Sequence, residues 1–334
     1  MTDTDVRQYV MTPVDVSNAV IAMLESAKRD DWHLIGTGHP DLDAVTTLYP
    51  GSLTGVLGRP SHGKSMLCKA IAKRELERIR DADARDQCVV YVTLEEDPAV
   101  VGMALDGWDL SVQDVTRGRF DLPERRRAAQ YITKRPVFMV RHPGLVDGKM
   151  PPALTPALLY RAIESIAEDY PSDPKAPKFK PTLVVLDYVQ LLQADDLPMS
   201  ERKKTAQVTA AIEGAKNLAM RLSVPVVMAV QAGRQTDSHA DQMPAMADAQ
   251  WASAIEQACD VVLGVHRPCR RDDLADKMRS GQRVHVTLNG QSFAVNDSLM
   301  VIGLIKQRAG IGYGRFPAYL DPVGLTMHGI DRHA

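Results

Sequence analysis

Apolar residues along this chain gather in short unbroken runs: Leu53–Gly58, Cys88–Leu94, Val137–Val140, Leu183–Asp187, Val224–Val230, Asp260–Val265 and Leu299–Ile305. Several are continuous and β-branched, as in strands covered on both faces, where no solvent side demands a polar alternate residue. Between them, Ser65–Arg80, Leu154–Glu168 and Thr205–Leu222 carry apolar positions at helical spacing. Strands separated by helices predict an α/β domain with a mostly parallel sheet. Ahead of it, Val14, Val16, Val20, Ile21 and Leu24 recur at near-helical spacing between Pro13 and the charged Arg29-Asp30-Asp31, predicting a short helix over 14–28.

Polar segments interrupt the pattern. Pro171–Pro181 is a Pro/Lys loop, Gln231–Ala254 is rich in Asp, Gln and Met, and 267–298 is a basic insertion. Within that insertion, Asn289-Gly290 between VHVTL and QSFAV predicts a two-residue hairpin. A length of 334 residues allows two domains or one large α/β domain with appendages. Forty Lys and Arg against 42 Asp and Glu leave a formal charge of −2, so bulk electrostatics does not mark a nucleic-acid or anionic-membrane binder. No apolar run is long enough to span a bilayer, and the acidic N-terminal residues lack a signal-peptide core, so a cytoplasmic protein with no membrane partner is expected. Cys68, Cys88, Cys259 and Cys269 stand singly, without metal spacing, and are expected to be buried small hydrophobes.

The sharpest chemical signal is Gly58-Arg59-Pro60-Ser61-His62-Gly63-Lys64-Ser65, which follows an apolar strand and opens a helix at Met66. It matches G-x-x-x-x-G-K-[ST]. Such a loop turns backbone N–H groups onto phosphates at a helix N-terminus, while Lys64 adds a point charge and Ser65 a hydroxyl for Mg²⁺. A second magnesium-shell oxygen is needed, and Asp187 ends the run Leu183–Asp187 at the sheet edge where ligands bind. A general base is needed as well, and Glu95-Glu96 closes another run at the same kind of edge. Spacing leaves these two carboxylates equivalent.

In order along the chain, GTGHPDLD, GRPSHGKS, YVTLEED, LVVLDYVQLL, VPVVMAVQAGR, SAIEQACDVVLGVHR and IGLIKQRAG resemble the C-terminal motor of DnaB-type replicative helicases, over roughly residues 14–320. The resemblance implies a RecA-like P-loop fold, with residues 1–32 as arm and linker helix and 33–334 as the ATPase domain. It implies ATP and Mg²⁺ as ligands, Glu95 as catalytic glutamate, Asp187 as the Walker B aspartate and Gln231 as the polar sensor. Lys306 and Arg308 fall at the cation pair that reaches a neighbouring subunit's γ-phosphate, in keeping with the reward that charge spreading in phosphoryl transfer gives an arginine finger. A homo-hexamer translocating 5′ to 3′ on single-stranded DNA is implied, with a loader or other replication partner. The family's N-terminal collar has no counterpart in this sequence, which suggests a motor without the usual primase platform.

The channel loops depart from the family. Gln250 stands where an arginine is usual, and Trp251 beside it is suited either to stacking on a base or to packing between subunits. Arg202, Lys203 and Lys204 ahead of Thr205–Leu222, together with Arg234, are the remaining candidates for nucleic-acid contact. Ala104 falls where relatives often carry an arginine over the base, implying a loosely held base. These departures keep alternative functions open: a nucleotide-switched ring that recruits partners without unwinding, or a recombinase-like filament.

Overall fold

The computed structural model describes residues 12–28, 34–106, 114–115, 117–132, 136–141, 149, 153–169, 178–193, 204–239, 241–308, 310, 312–322 and 324–329. It divides into two compact units, Met1–Leu34 and Ile35–Ala334. The first holds helix α1 (Pro13–Lys28), whose Val14, Val16, Val20, Ile21 and Leu24 are exposed.

The second unit is organised by a nine-stranded sheet. Its parallel strands are β1 (Leu53–Gly58), β2 (Gln87–Thr93), β3 (Val137–Val140), β4 (Lys180–Asp187), β5 (Val226–Gln231) and β6 (Val261–His266). Hairpin β7 (His285–Leu288) and β8 (Gln291–Ala294) stands apart, and β9 (Leu299–Gln307), β10 (Gly314–Leu320) and β11 (Met327–Gly329) extend the sheet antiparallel. From one edge the order is β3-β2-β4-β5-β1-β6-β9-β10-β11. The helices are α2 (Pro40–Asp43), α3 (Lys64–Asp81), α4 (Pro98–Leu105), α5 (Leu122–Ile132), α6 (Pro156–Asp169), α7 (Lys204–Leu222), α8 (Ala252–Ala258) and α9 (Asp272–Arg279).

The continuous apolar runs follow from this layering. Successive strand residues point to opposite faces, so a strand covered twice needs apolar side chains at every position. Leu53, Leu57, Val184 and Leu186 enter a core with Leu159 and Ile163 of α6 and Ile212 and Leu218 of α7. Val56, Leu183 and Val185 enter a second core with Leu67, Ile71 and Leu76 of α3. The insertion belongs to this unit: Leu274 of α9 and Phe293 of β8 pack with Leu299 and Val301 of β9. Its hairpin turns on Asn289 and Gly290 with φ of 50° and 80°, the left-handed pair that suits a twisted two-residue turn.

Among the described residues, two strands and five helices lie outside the sequence pattern: β10, β11, α2, α4, α5, α8 and α9. Pro317 interrupts the strand signal of β10, although the segment pairs along β9 from Gly314 to Tyr319. Among the described residues, no helix is long and apolar enough to cross a membrane.

The parallel topology has one consequence for chemistry. Gly58 pairs in register with Gln231, and Thr93 with Asp187, so the carboxyl ends of β1, β5, β2 and β4 share one edge of the sheet.

Candidate functional site: a phosphate-binding cleft

At that edge a cavity of about 540 Å³ opens between the β1–α3 loop and the ends of the neighbouring strands. Gly63 precedes α3 with φ of 95°, which turns the chain into the helix. A Cβ there would come within 2.5 Å of Met300 Cε, and one at Gly58 within 2.7 Å of Val265 Cγ2. Backbone direction therefore calls for glycine at 63, where the flexible Met300 tip can yield, and packing against Val265 calls for it at 58. Lys64 Nζ donates to Arg59 O at 3.1 Å, which holds the ammonium across the loop. Burial lowers the Lys64 pKa, and the Asp187 charge opposes that shift.

Asp187 is buried behind the loop. Ser65 Oγ donates to Asp187 Oδ1 at 3.1 Å, and Tyr91 Oη donates to Oδ2 at 3.0 Å. Burial raises its pKa above the usual carboxylate value, while these hydrogen bonds pull the other way. A hydroxyl and a carboxylate oxygen are hard donors, and the direct partners of this buried carboxylate are neutral. The donor set therefore fits a divalent cation, which would relieve the cost of burying the charge.

The two acidic neighbours are no longer equivalent. Glu96 is ion-paired to Lys69, which stands one helical turn beyond Ser65 on α3. Glu95 lines the cavity, is exposed, and has no ion-pair partner among the described residues. Gln231, half-buried at the end of β5, also lines it.

Sequence reasoning missed four contributors. Tyr91 holds Asp187, Lys69 engages Glu96, and Arg267 and Arg270 line the cavity from just beyond β6. A signal existed for Lys69, since positions four apart share a helix face. Arg267 follows the carboxyl end of a parallel strand, where ligands gather; its setting within a basic insertion concealed that.

The loop is bolted to its surroundings. Arg59 makes a bidentate pair with Asp237, both contacts at 2.9 Å. His62 Nδ1 accepts from the Arg267 backbone N–H at 3.3 Å, and its ring stacks on His266 with centroids 5.0 Å apart. Burial, followed by the Lys64 charge, pushes His62 down to about 4; burial, followed by His62, pushes His266 down to about 3. Both rings are therefore neutral near pH 7.

Lys306 and Arg308 do not join this cleft. β9 runs antiparallel to β6, and the Arg308 N–H donates to Asp260 O just as Asp260 N–H donates to Leu53 O. Arg308 is thus level with Leu53, the start of β1, while the phosphate loop begins at Gly58. Five strand residues, about 17 Å, separate the two levels. Lys306 lies on the same side, its pKa lowered by burial and then by the Arg308 charge.

The described candidates for nucleic-acid contact are not among the residues lining the cavity. Arg202 and Lys203 lie outside the described residues, and Lys204 opens α7. Arg234 and Gln250 are exposed. Trp251 is half-buried against the α7-side core, in the left-handed conformation with φ of 66°. Ala104 packs against the α3-side core and is not among the residues lining the cavity.

Residues 162–311 match the family model described as the DnaB-like helicase C terminal domain. A replicative DNA helicase DnaB from Leifsonia xyli subsp. xyli is 26% identical over 290 residues, covering 83% of this chain and 56% of that protein. A probable replicative DNA helicase from Trieres chinensis is 25% identical over 269 residues, covering 78% of this chain and 53% of that protein. The chain therefore spans about half the length of these curated relatives. Among solved structures, the ATPase domain of G40P superposes with a TM-score of 0.69 at 16% identity, covering 95% of this chain and 99% of that one. A DnaB-like replicative helicase described with its interactions with primase gives 0.66 at 18% identity, covering 94% of this chain and 66% of that one. The motif resemblance, the family match and the shared fold agree: residues 162–311 match the DnaB-like helicase C terminal domain, the chain is similar to replicative DNA helicases over most of its length, and it shares the fold of these two solved structures.

Proposed function

We propose that the chain is the ATP-hydrolysing motor of a ring helicase that moves 5′ to 3′ on single-stranded DNA and completes each active site with a neighbouring copy. The observation that carries this reading is the separation from their own phosphate loop of Arg308, level with the start of β1, and of Lys306, whose Nζ donates to Cys259 O towards that same end. The cleft has a phosphate cradle, a buried acid, a free carboxylate and cations of its own in Lys64, Arg267 and Arg270. Lys306 and Arg308 of the same chain are beyond side-chain reach of it, so that pair would serve the cleft of a second copy.

In this mechanism the backbone of Gly58–Ser65 and the N-terminus of α3 hold the phosphates, and Lys64 neutralises charge at the β- and γ-positions. Ser65 and Asp187 are the residues that would hold Mg²⁺, whose chemistry there is to screen the phosphate oxygens. Glu95 orients the attacking water and takes its proton, because Glu96 is engaged by Lys69. Gln231 reads the γ-phosphate and reports to the DNA side. Arg202, Lys203, Lys204, Arg234, Gln250 and Trp251 form the DNA surface, with phosphate tracking by backbone amides where side-chain charge is missing. Residues 1–32 serve as the arm and linker of a cytoplasmic homo-hexamer, 33–334 as its ATPase domain, and a replication protein is its partner.

Turnover per copy should rise with protein concentration as copies associate, and rise again on adding single-stranded DNA. Full turnover by copies kept dissociated, verified by sedimentation, would overturn the shared site. Failure of DNA to bind or stimulate would remove the helicase reading and leave the ATPase.

A further inference from the structure

The cation pair at the end of β9 is held by one short helix. Lys306 Nζ donates to the carbonyl oxygen of Glu256 and, at 2.7 Å, to that of Cys259. Arg308 Nη2 donates to Gln257 O, and its Nη1 lies 3.4 Å from Asp260 Oδ1. These carbonyls belong to the last turn of α8 and the residue after it, where a helix leaves acceptors unpaired and favours positive charge. Asp260 fixes the arrangement. Its carboxylate is buried, and Oδ2 accepts from Lys216 Nζ at 2.7 Å and from Leu53 N–H at 2.8 Å. The Arg308 side chain, by contrast, is 48% exposed, so the guanidinium is held yet accessible. At the opposite end of α8 stands Trp251, its N-cap, preceded by the exposed Gln250.

We propose that Asp260 and the carbonyl end of α8 form a mount that sets Lys306 and Arg308 for a neighbouring copy's triphosphate, and that α8 couples this cation pair to the Gln250–Trp251 turn. The proposal rests on the shared-site reading given above. Asp260 is a positioning residue: it touches no substrate and acts through Arg308. A helix of seven residues is about 10 Å long and moves as a rigid rod, so a displacement at its carbonyl end reaches Trp251 undiminished. When the triphosphate draws the cations outward, the last turn of α8 loses its donors while Asp260 keeps Lys216. The loop at the far end then shifts in the same protomer whose cations have engaged.

Asp260→Asn keeps the shape and removes the charge. It should lower DNA-stimulated turnover roughly 10- to 100-fold, the cost of a misplaced group, while a fluorescent ATP analogue binds the variant's own phosphate loop with unchanged affinity. Mixing Asp260→Asn with Lys64→Ala copies should restore turnover, because some interfaces then join an intact mount to an intact loop. Arg308→Ala mixed with Lys64→Ala is the control. Restoration for Arg308→Ala without restoration for Asp260→Asn overturns the mount and leaves the shared site standing; restoration for neither overturns both. Asp260→Asn/Lys216→Met, which buries no lone charge, serves if the single variant does not fold, and the same outcomes decide. A second readout addresses α8 directly. With Trp32 and Trp108 replaced by Phe, Trp251 emission should change when nucleotide binds to assembled copies, and this change should vanish in Asp260→Asn. A nucleotide-dependent change that persists in that variant overturns the coupling.

Discussion

Gln231 and Gly58 end adjacent parallel strands in register, so the residue assigned to sensing sits beside the first residue of the phosphate loop. The link continues outward. Ala232 bridges Ala249, and the Gly233 N–H donates to Asp248 O at 2.6 Å, which ties the segment after Gln231 to the turn that carries Gln250 and Trp251. Gln231→Ala should therefore leave nucleotide affinity within about twofold and lower DNA-stimulated kcat by about 100-fold, the loss typical of a transition-state hydrogen-bond donor. Steady-state turnover with and without single-stranded DNA, alongside nucleotide titration, checks this; an equal loss in basal and stimulated rates would argue against a sensing role.

Glu95 and Glu96 should separate cleanly. Glu95→Gln is expected to retain nucleotide binding and lose about 10²- to 10⁴-fold in kcat, the range for removing a general base. Glu96→Gln removes only the partner of Lys69 and should cost much less turnover. Single-turnover hydrolysis by both variants decides, and an active Glu95→Gln would transfer the role to Glu96.

Two glycines should respond with opposite signs to the same change. At Gly63, φ of 95° makes alanine strained, costing on the order of 1–3 kcal/mol and weakening nucleotide binding. At Gly102, within α4, a Cβ would meet nothing within 4 Å, so alanine should stabilise by about 0.5–1 kcal/mol through helix propensity. Urea unfolding of both variants tests the pair, and a stable Gly63→Ala would show that the loop backbone can be recast.

Acid should weaken the fold through the stacked histidines. Below the ordinary value of 6.5, the unfolded chain takes up protons that folded His62 and His266, held at about 4 and about 3, refuse. Their contribution is fully present above pH 6.5 and is lost as pH falls through about 4 for His62 and about 3 for His266, at up to about 1.4 kcal/mol per pH unit for each ring. Replacing them, as His62→Met with His266→Phe, should flatten the slope of unfolding free energy between pH 6.5 and 4.5. An unaltered slope would assign that acid sensitivity to other groups.

The sequence by itself determined whatever depends on near neighbours in the chain. Continuous apolar runs announced doubly covered strands, glycines with Lys64 and Ser65 announced a phosphate loop, and Asn289-Gly290 announced the β7–β8 turn; each needs only local backbone geometry or the burial of one strand. Long-range pairing decided the rest. Only the fold makes Glu96 the partner of Lys69, brings Arg267 and Arg270 to the cleft, stacks His62 on His266 across more than two hundred residues, and carries Lys306 and Arg308 away from their own loop. The reason is physical: such contacts are set by strand order and direction, and an antiparallel β9 beside a parallel β6 reverses which end of the sheet a residue occupies without leaving any trace in local residue pattern.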